Sequence, residues 1–167
     1  THIWSGPLAT RLLAGLGAEV VRVENPSSPD SLRGKPGDIE SRYPASGLGD
    51  DYVNRNAWFN THNTDKLSVL LDLKVDADRQ RFLALAADSD MVIANYRPGV
   101  LDRLGIGLEA LRAVNPDIVL VEMPGHFRTS RHAQAAVYGA QMEAASGAPY
   151  VLGGRGEPVL TGYAFGD

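Results

Sequence analysis

The sequence predicts an α/β fold in which a parallel sheet carries helices on both faces. Short apolar runs alternate along the chain with segments of helical periodicity, which is the pattern of repeated strand–helix–strand units. The candidate strands are apolar over nearly their whole length, as parallel strands are when helices cover both faces of the sheet. Gly, Pro and Asn residues separate these elements from one another.

The first helix is predicted in GPLATRLLAGLG, where leucines recur at helical spacing and a proline suits the first turn. Gly17 stands where a C-terminal glycine cap would end it. A valine-rich strand is expected over residues 19–24. Residues 26–56 are rich in Pro, Gly, Ser and Asp and show little periodicity, so they are predicted to form one long loop within the domain.

The remaining elements follow in alternation. A strand is predicted at about residues 67–71, a helix at 76–87 and further strands in DMVIANY and DIVLVEM. Two short helices between these last strands are broken at Gly105 and Gly107 and ended by Asn115 and Pro116. A helix is expected over 133–146, and the glycine-rich remainder has an extended stretch at 158–162.

Composition excludes several classes of function. The 167 residues suffice for about one domain, with 44% hydrophobic and 22% charged residues, as in ordinary globular proteins. The absence of cysteine excludes disulfides and thiolate catalysis. A net charge of -4 argues against binding nucleic acid through bulk charge. No apolar run approaches the roughly 20 residues of a membrane span, so no membrane partner is predicted.

Neither a metal nor a Rossmann-type nicotinamide cofactor is predicted. The four histidines form no pair at ligand spacing and have no acidic partner at such spacing. The segment GLGAEV follows a helix, whereas the dinucleotide fingerprint needs a strand before its glycine turn. GGRGEP is interpreted as a flexible loop.

Three cations follow predicted strands. Lys74 and Arg97 come directly after strand ends, and Arg103 lies about one turn further on. Open parallel sheets bind ligands beyond the carboxyl ends of their strands, so these side chains could hold a polyanion such as a diphosphate. The alternative is that they cap helices or face water.

The last residue, Asp167, has two interpretations. A carboxylate attacks activated acyl groups when it is desolvated and held in line, and Gly166 offers an unobstructed backbone N–H beside it. The alternative is an ordinary surface residue.

Five segments together resemble the class III CoA-transferases: THIWSGPLATRLLAGLGAEVVRVENP, NTDKLSVLLDLK, VIANYRPGVLDRLGIGLEALRAVNPDIV, YGAQMEAASG and VLTGYAFGD. This family includes formyl-CoA, carnitine and benzylsuccinate CoA-transferases and the related α-methylacyl-CoA racemases. The resemblance implies that residues 1–167 are part of a large, Rossmann-like CoA-binding domain, with the first strand and the small domain missing. It further implies an enzyme whose full-length chains form an interlocked homodimer, with acyl-CoA and a carboxylic acid as substrates. A cytoplasmic location is expected, since a chain without cysteine is compatible with a reducing compartment.

The resemblance places the family's nucleophile at Asp167. Its carboxylate would form a mixed anhydride with the donor acyl group and then an enzyme-CoA thioester. An ordinary pKa of about 3.9 keeps an aspartate ionised at neutral pH, as this role requires. No metal is implied.

The resemblance also assigns contacts with coenzyme A and the acyl group. The CoA-binding positions are His2, Ile3, Ser5, Leu71, Asp72, Leu73, Lys74, Asn95, Tyr96, Arg97, Arg103 and Tyr138. Formyl-CoA transferase has a glutamine at the position of Trp4 and an acid at that of Gly139, so these two residues are expected to shape a pocket for a larger or more apolar acyl group. Asn25 replaces an arginine of that enzyme, which puts one phosphate contact in doubt.

Two alternatives remain beside the transferase. The first is an acyl-CoA racemase or isomerase, although Tyr138 and Gly139 stand where racemases have a His-Asp pair that moves the proton. The second is a CoA-binding chain without turnover. The isolated chain is expected to be inactive and to expose apolar surface.

Overall fold

The computed structural model describes residues 1–34, 53–153 and 156–162. Helices and strands alternate along the described chain, as the sequence predicts. The helices are α1 (Ser5–Gly15), α2 (Ala57–His62), α3 (Asp76–Ala87), α4 (Val100–Arg103), α5 (Leu108–Val114), α6 (Gly139–Ser146) and α7 (Ala148–Gly153). The strands are β1 (Val20–Glu24), β2 (Lys66–Leu70), β3 (Met91–Ala94) and β4 (Val119–Glu122), and a 3-10 helix covers Ser31–Arg33.

The four strands form two parallel pairs. In the first pair, β1 lies beside β2, and in the second β3 lies beside β4. Helix α1 contacts both β1 and β3, so it connects the two pairs. The α/β class with parallel strands is therefore confirmed, but among the described residues the strands form two hydrogen-bonded pairs and not one continuous sheet.

Helix α1 ends as its sequence predicts. Gly17 has a positive φ of 99°, which glycine adopts without steric cost. Its N–H donates to the carbonyl of Ala14, and the next N–H, of Ala18, donates to the carbonyl of Leu13. These bonds satisfy carbonyls that the last helical turn leaves without partners.

The apolar core lies between the β3–β4 pair and the helices α3 and α5. Leu111, Ile118 and Ala86 form one fully buried cluster, with Phe82 and Leu120 packed against it. A second cluster continues this core toward α4 and consists of Ala94, Leu101 and Ile106.

A lysine links α1 and α2 to the β1–β2 pair. The ammonium group of Lys66 donates to the carbonyls of Pro7 (2.8 Å) and His62 (2.7 Å) and to Oδ1 of Asn63 (3.1 Å). The three N–H donors of the ammonium group thus have three oxygen acceptors. These hydrogen bonds hold α1 and α2 against β2.

Several boundaries differ from the sequence prediction. Helix α2 was not predicted, and a 3-10 helix lies in the described part of the segment 26–56, which was expected to be loop. The predicted helix over 133–146 begins only at Gly139. Gln134 is held outside the helix by hydrogen bonds with Arg97 and Pro98. The helix starts after Tyr138, whose N–H donates to the side chain of Gln141. Helix α7 occupies part of the glycine-rich region, and residues 158–162 form no strand.

Within the described ranges, no helix has the length and apolarity that crossing a membrane requires. The same residues contain no group of three or more His, Asp or Glu side chains arranged to hold a metal ion.

Candidate functional site

A cavity of about 220 Å³ opens at the carboxyl ends of three strands. In open parallel sheets this edge is where ligands bind, because the loops that follow neighbouring strands converge there. The lining comprises His2, Val23, Asn25, Ser28, Leu71, Asp72, Leu73, Lys74, Tyr96 and Leu104.

The loop after β2 forms one wall of this cavity. The N–H of Leu71 donates to the carbonyl of Glu24 (2.9 Å), which continues the contact between the first two strands. The carboxylate of Asp72 accepts the N–H of Lys74 (3.0 Å) and the amide of Asn25 (3.3 Å). The hydrogen bond from the Lys74 N–H to Asp72 fixes the position of the Lys74 backbone. Lys74 lines the cavity and is exposed.

Two aromatic rings form another part of the cavity lining. The rings of His2 and Tyr96 lie 5.6 Å apart between centroids, with their planes tilted by 56°. Burial lowers the pKa of His2 below its ordinary 6.5, so the imidazole is neutral at neutral pH. Burial likewise raises the pKa of Tyr96, which keeps the phenol protonated. This part of the lining therefore offers uncharged polar groups and ring faces.

Side chains from distant parts of the sequence hold the backbone beside His2. The N–H of His2 donates to Oδ1 of Asn95 (2.8 Å), and Nδ2 of Asn95 donates to the His2 carbonyl (2.6 Å). The N–H of Ile3 donates to the carboxylate of Asp30 (2.9 Å). Ile3 has a φ of 64°, which a β-branched residue rarely adopts.

A buried ionic network supports the cavity from the β1–β2 pair. Arg22 donates to Asp30 (2.6 Å), and Arg33 forms two hydrogen bonds of 2.8 Å with Glu24. The residues Arg22, Glu24 and Asp30 are each at most 5% exposed. Both guanidinium groups also lie over the ring of Phe59, at 4.8 and 3.7 Å from its centroid.

Hydrogen bonds hold both carboxyl groups of this network in the charged form. Burial alone would raise the pKa of Asp30, but hydrogen bonds from the N–H groups of Leu32 and Ile3 and from Arg22 outweigh it and lower the pKa below its ordinary 3.8. Burial opposes ionisation of Glu24 too, yet hydrogen bonds from Arg33 and Ser68 lower its pKa below 4.5. The network thus favours folding while both groups are ionised.

The expected pocket residue Trp4 lies in an aromatic group beside α2. Its ring is 4.1 Å from that of His62 and 5.3 Å from that of Trp58. His62 is buried and its Nδ1 lies 2.8 Å from the Trp58 carbonyl, whereas Trp58 is half exposed. The other expected pocket residue, Gly139, is the buried first residue of α6.

The structure brings about half of the predicted CoA contacts to this cavity. The lining contains His2, Leu71, Asp72, Leu73, Lys74 and Tyr96. The other six predicted contacts do not line it. Ile3 and Asn95 take part in the hydrogen bonds beside His2, and Ser5 is the first residue of α1. Arg97 donates to the Gln134 carbonyl (3.2 Å), whereas Arg103 and Tyr138, the residue before α6, are exposed. The predicted nucleophile, Asp167, lies outside the described residues.

Sequence reasoning missed part of the site. Val23, Ser28 and Leu104 line the cavity but carry no chemical motif. Asp30 had one local signal, since an aspartate in SPDS is a typical cap, and its Oδ1 indeed accepts the N–H of Leu32 (2.9 Å).

The sequence of this chain is similar to that of known proteins over its whole length. The model of CoA-transferase family III matches residues 1–167. The chain belongs to this family. Formyl-CoA:oxalate CoA-transferases of Rhodopseudomonas palustris (strain TIE-1) and Bradyrhizobium sp. (strain ORS 278) are each 33% identical over 168 residues, which cover 100% of this chain and 36% of each relative. The chain therefore spans about a third of the length of these relatives.

Solved structures agree with the family assignment. A CAIB/BAIF family protein from Brucella suis superposes with a TM-score of 0.78 at 31% identity, over 99% of this chain and 42% of that one. The hypothetical protein Rv3272 from Mycobacterium tuberculosis superposes with a TM-score of 0.80 at 26% identity and the same coverage. The predicted family and its fold are confirmed.

Proposed function

We propose that the full-length protein transfers coenzyme A between an acyl-CoA thioester and a carboxylic acid. The observation that carries this proposal is the cavity at the carboxyl ends of β1, β2 and β3, because six residues that the family resemblance assigns to CoA line it together. Membership of CoA-transferase family III supplies the reaction class.

Each of the six polar lining residues has a role in this proposal. Lys74 supplies the positive charge for a phosphate of the nucleotide, and the turn closed by Asp72 fixes where it lies. His2 and Tyr96 offer uncharged polar atoms and ring faces near the thioester end. Asn25 and Ser28 add neutral donors on the side of β1.

The proposed chemistry uses Asp167 as the nucleophile. Its carboxylate attacks the thioester carbonyl, the C–S bond breaks, and a mixed anhydride forms as CoA leaves as a thiolate. The thiolate then attacks the aspartyl carbonyl of the anhydride and releases the donor acid as a carboxylate. The acceptor carboxylate attacks the resulting enzyme-CoA thioester, and CoA returns to the acceptor through a second anhydride. Neither water nor a redox agent is consumed.

We expect the acyl group to be larger or more apolar than formyl or oxalyl. The relatives from Rhodopseudomonas palustris and Bradyrhizobium are named for formyl-CoA and oxalate. In this chain, however, the indole of Trp4 packs with Trp58 and His62 and places apolar ring surface beside the start of α1. Aromatic or branched acids are the first acceptors to test. A cytoplasmic homodimer remains part of the same proposal.

The test uses the protein expressed from its complete reading frame. Wild type with an acyl-CoA and an isotopically labelled second acid should yield labelled acyl-CoA, and mass spectrometry should find CoA bound to Asp167. Asp167→Asn should abolish both signals while CoA still binds. Absence of exchange with every acid, despite bound CoA, would contradict the proposal. Exchange of the α-proton alone would point to an isomerase.

A further inference from the structure

The side chain of Asn95 acts on the backbone of His2 as a neighbouring strand would. Its carboxamide accepts the His2 N–H at 2.8 Å and donates to the His2 carbonyl at 2.6 Å. In an antiparallel sheet, the neighbouring strand likewise accepts the N–H of a residue and donates to the carbonyl of the same residue. The residues are 93 positions apart in the sequence, so the contact joins the start of α1 to the end of β3.

Asp30 holds the next peptide. Its carboxylate accepts the N–H of Ile3 at 2.9 Å, and that carboxylate is itself fixed by Arg22 (2.6 Å) and by the N–H of Leu32 (2.9 Å). Asp30 is only 3% exposed. Ile3 sits at a φ of 64°, and such a conformation of a β-branched residue persists only where its surroundings impose it.

Gly6 provides the room for this arrangement. A Cβ at this position would lie 2.6 Å from the Thr1 side chain and 3.3 Å from Cγ of Asn95, both closer than ordinary van der Waals contact. The glycine in THIWSGP therefore lets the Thr1 side chain and, less tightly, the Asn95 carboxamide approach the first turn of α1. We call Asn95, Asp30 and the two peptides that they bind the His2 brace.

We propose that Asn95 and Asp30 are positioning residues, which hold the His2–Ile3 backbone so that the His2 ring forms a wall of the cavity. This role differs from the direct CoA contact that the family resemblance assigns to Asn95, because each end of its carboxamide makes a hydrogen bond with the His2 backbone. The identity of the ligand, coenzyme A, rests on the proposed function. The His2 brace itself is inferred only from hydrogen bonds within the protein.

A double-mutant cycle separates positioning from direct contact. Calorimetry with coenzyme A should show about a tenfold loss of affinity for Asn95→Ala, as expected when a hydrogen-bonded support is lost. In a His2→Ala background the same change should cost little more, since the group that Asn95 positions is already gone. Equal losses in both backgrounds would overturn the positioning role of Asn95. Asp30→Asn, which keeps an oxygen for the Ile3 N–H, should retain more affinity than Asp30→Ala, and equal losses from the two would count against Asp30.

Amide hydrogen exchange tests the brace without any ligand. In the free full-length protein, the His2 amide should be protected, and Asn95→Ala should remove that protection. A His2 amide that stays protected in Asn95→Ala would overturn the inference. If wild type bound no CoA, the proposed function would fail, while the exchange result would still decide whether the brace exists.

Asn115 offers a matched control. Its side-chain amide also bridges distant backbone, donating to the Ser89 carbonyl at 2.8 Å, but it does not line the cavity. Asn115→Ala should lower stability and leave both CoA affinity and exchange of the His2 amide unchanged. A loss of affinity equal to that of Asn95→Ala would mean that the effect is general destabilisation, which contradicts positioning.

Discussion

Different kinds of groups pack against the two strand pairs of this molecule. Helices α3 and α5 cover the β3–β4 pair with an apolar core that includes the fully buried Leu111. The β1–β2 pair carries Arg22 and Glu24 on strand β1, and these bind Asp30 and Arg33 in a buried ionic network. Both pairs have the same parallel ladder, so the difference lies in the groups packed against them.

The difference coincides with the position of the candidate site. Asp30 binds a strand and also the Ile3 peptide, whereas Leu111 only fills space. Apolar packing is non-directional, but a buried carboxylate holds its partners at defined distances and angles. The ionic half therefore orients the loops of the cavity, and the apolar half supplies much of the stability.

Breaking the ionic network should have the largest effect. Arg22→Ala leaves Asp30 with an uncompensated buried charge, while Glu24 keeps Arg33 as its partner. The free energy of unfolding, measured by denaturant titration, should fall by about 3–5 kcal/mol. Arg81→Ala removes another arginine–aspartate pair, but one whose arginine side chain is 69% exposed, and should cost about 1 kcal/mol or less. Similar losses for the two variants would show that the network is not effectively buried.

Truncation in the apolar half should be nearly as costly. Leu111→Ala removes a fully buried side chain and should lower the free energy of unfolding by about 2–5 kcal/mol. Leu108→Ala, in the same helix but partly exposed, is the control and should cost clearly less. The decrease in the free energy of unfolding caused by Leu111→Ala should also be the same at pH 7 and pH 5, because the apolar cluster around Leu111 contains no titrating group. A pH-dependent loss would break the comparison between the halves.

Acid should weaken the ionic half selectively. The pKa values of Asp30 and Glu24 are lowered by folding, so their contribution is full above their ordinary values of 3.8 and 4.5 and is lost as pH falls through the lower folded values. From pH 5 downward, amides of β1 and β2 should exchange faster before those of β3 and β4. Asp30→Asn should flatten this dependence. Simultaneous loss of protection in both pairs would contradict the prediction.

Loss of a helix cap should give the smallest effect. Asn56 accepts the N–H of Trp58 at 2.9 Å and so caps α2, which packs on the ionic half. Asn56→Ala should lower the free energy of unfolding by about 1 kcal/mol, and Asn56→Asp should restore most of it. Thermal unfolding of the three proteins measures this, and a loss that Asn56→Asp does not restore would argue that burial of Asn56, not capping, is what matters.

The apolar half was also the half that the sequence predicted best. Strands β3 and β4 and the helices around them came from apolar periodicity, which is a local signal. In the other half, α2 is only six residues long and its residues Trp58 and Phe59 repeat at no clear period, so it was missed. Residues 133–138 have helical composition, but contacts of Gln134 with Arg97 and Pro98 hold them in another conformation.

Six of the predicted CoA contacts line the observed cavity, but the contacts that build its walls were not predicted. Ligands bind at the carboxyl ends of parallel strands, and this rule together with the family resemblance predicted that Lys74 and Tyr96 lie in one site. Both residues line the cavity. No local pattern could pair Asn95 with the backbone of His2, because only the folded chain brings them together. Arg97 and Arg103 follow strand β3 as predicted, yet they do not line the cavity.

The pairing of the strands has a consequence for the order of folding. Met91 pairs with Val119, whereas Val20 pairs with Lys66, so the β3–β4 pair closes the shorter stretch of chain. Shorter closure costs less entropy and brings the core helices α3 and α5 together at once. Removing charged side chains from water is costly unless their partners offset the loss of hydration. The β3–β4 half should therefore form the folding nucleus, and the walls of the cavity should be completed last.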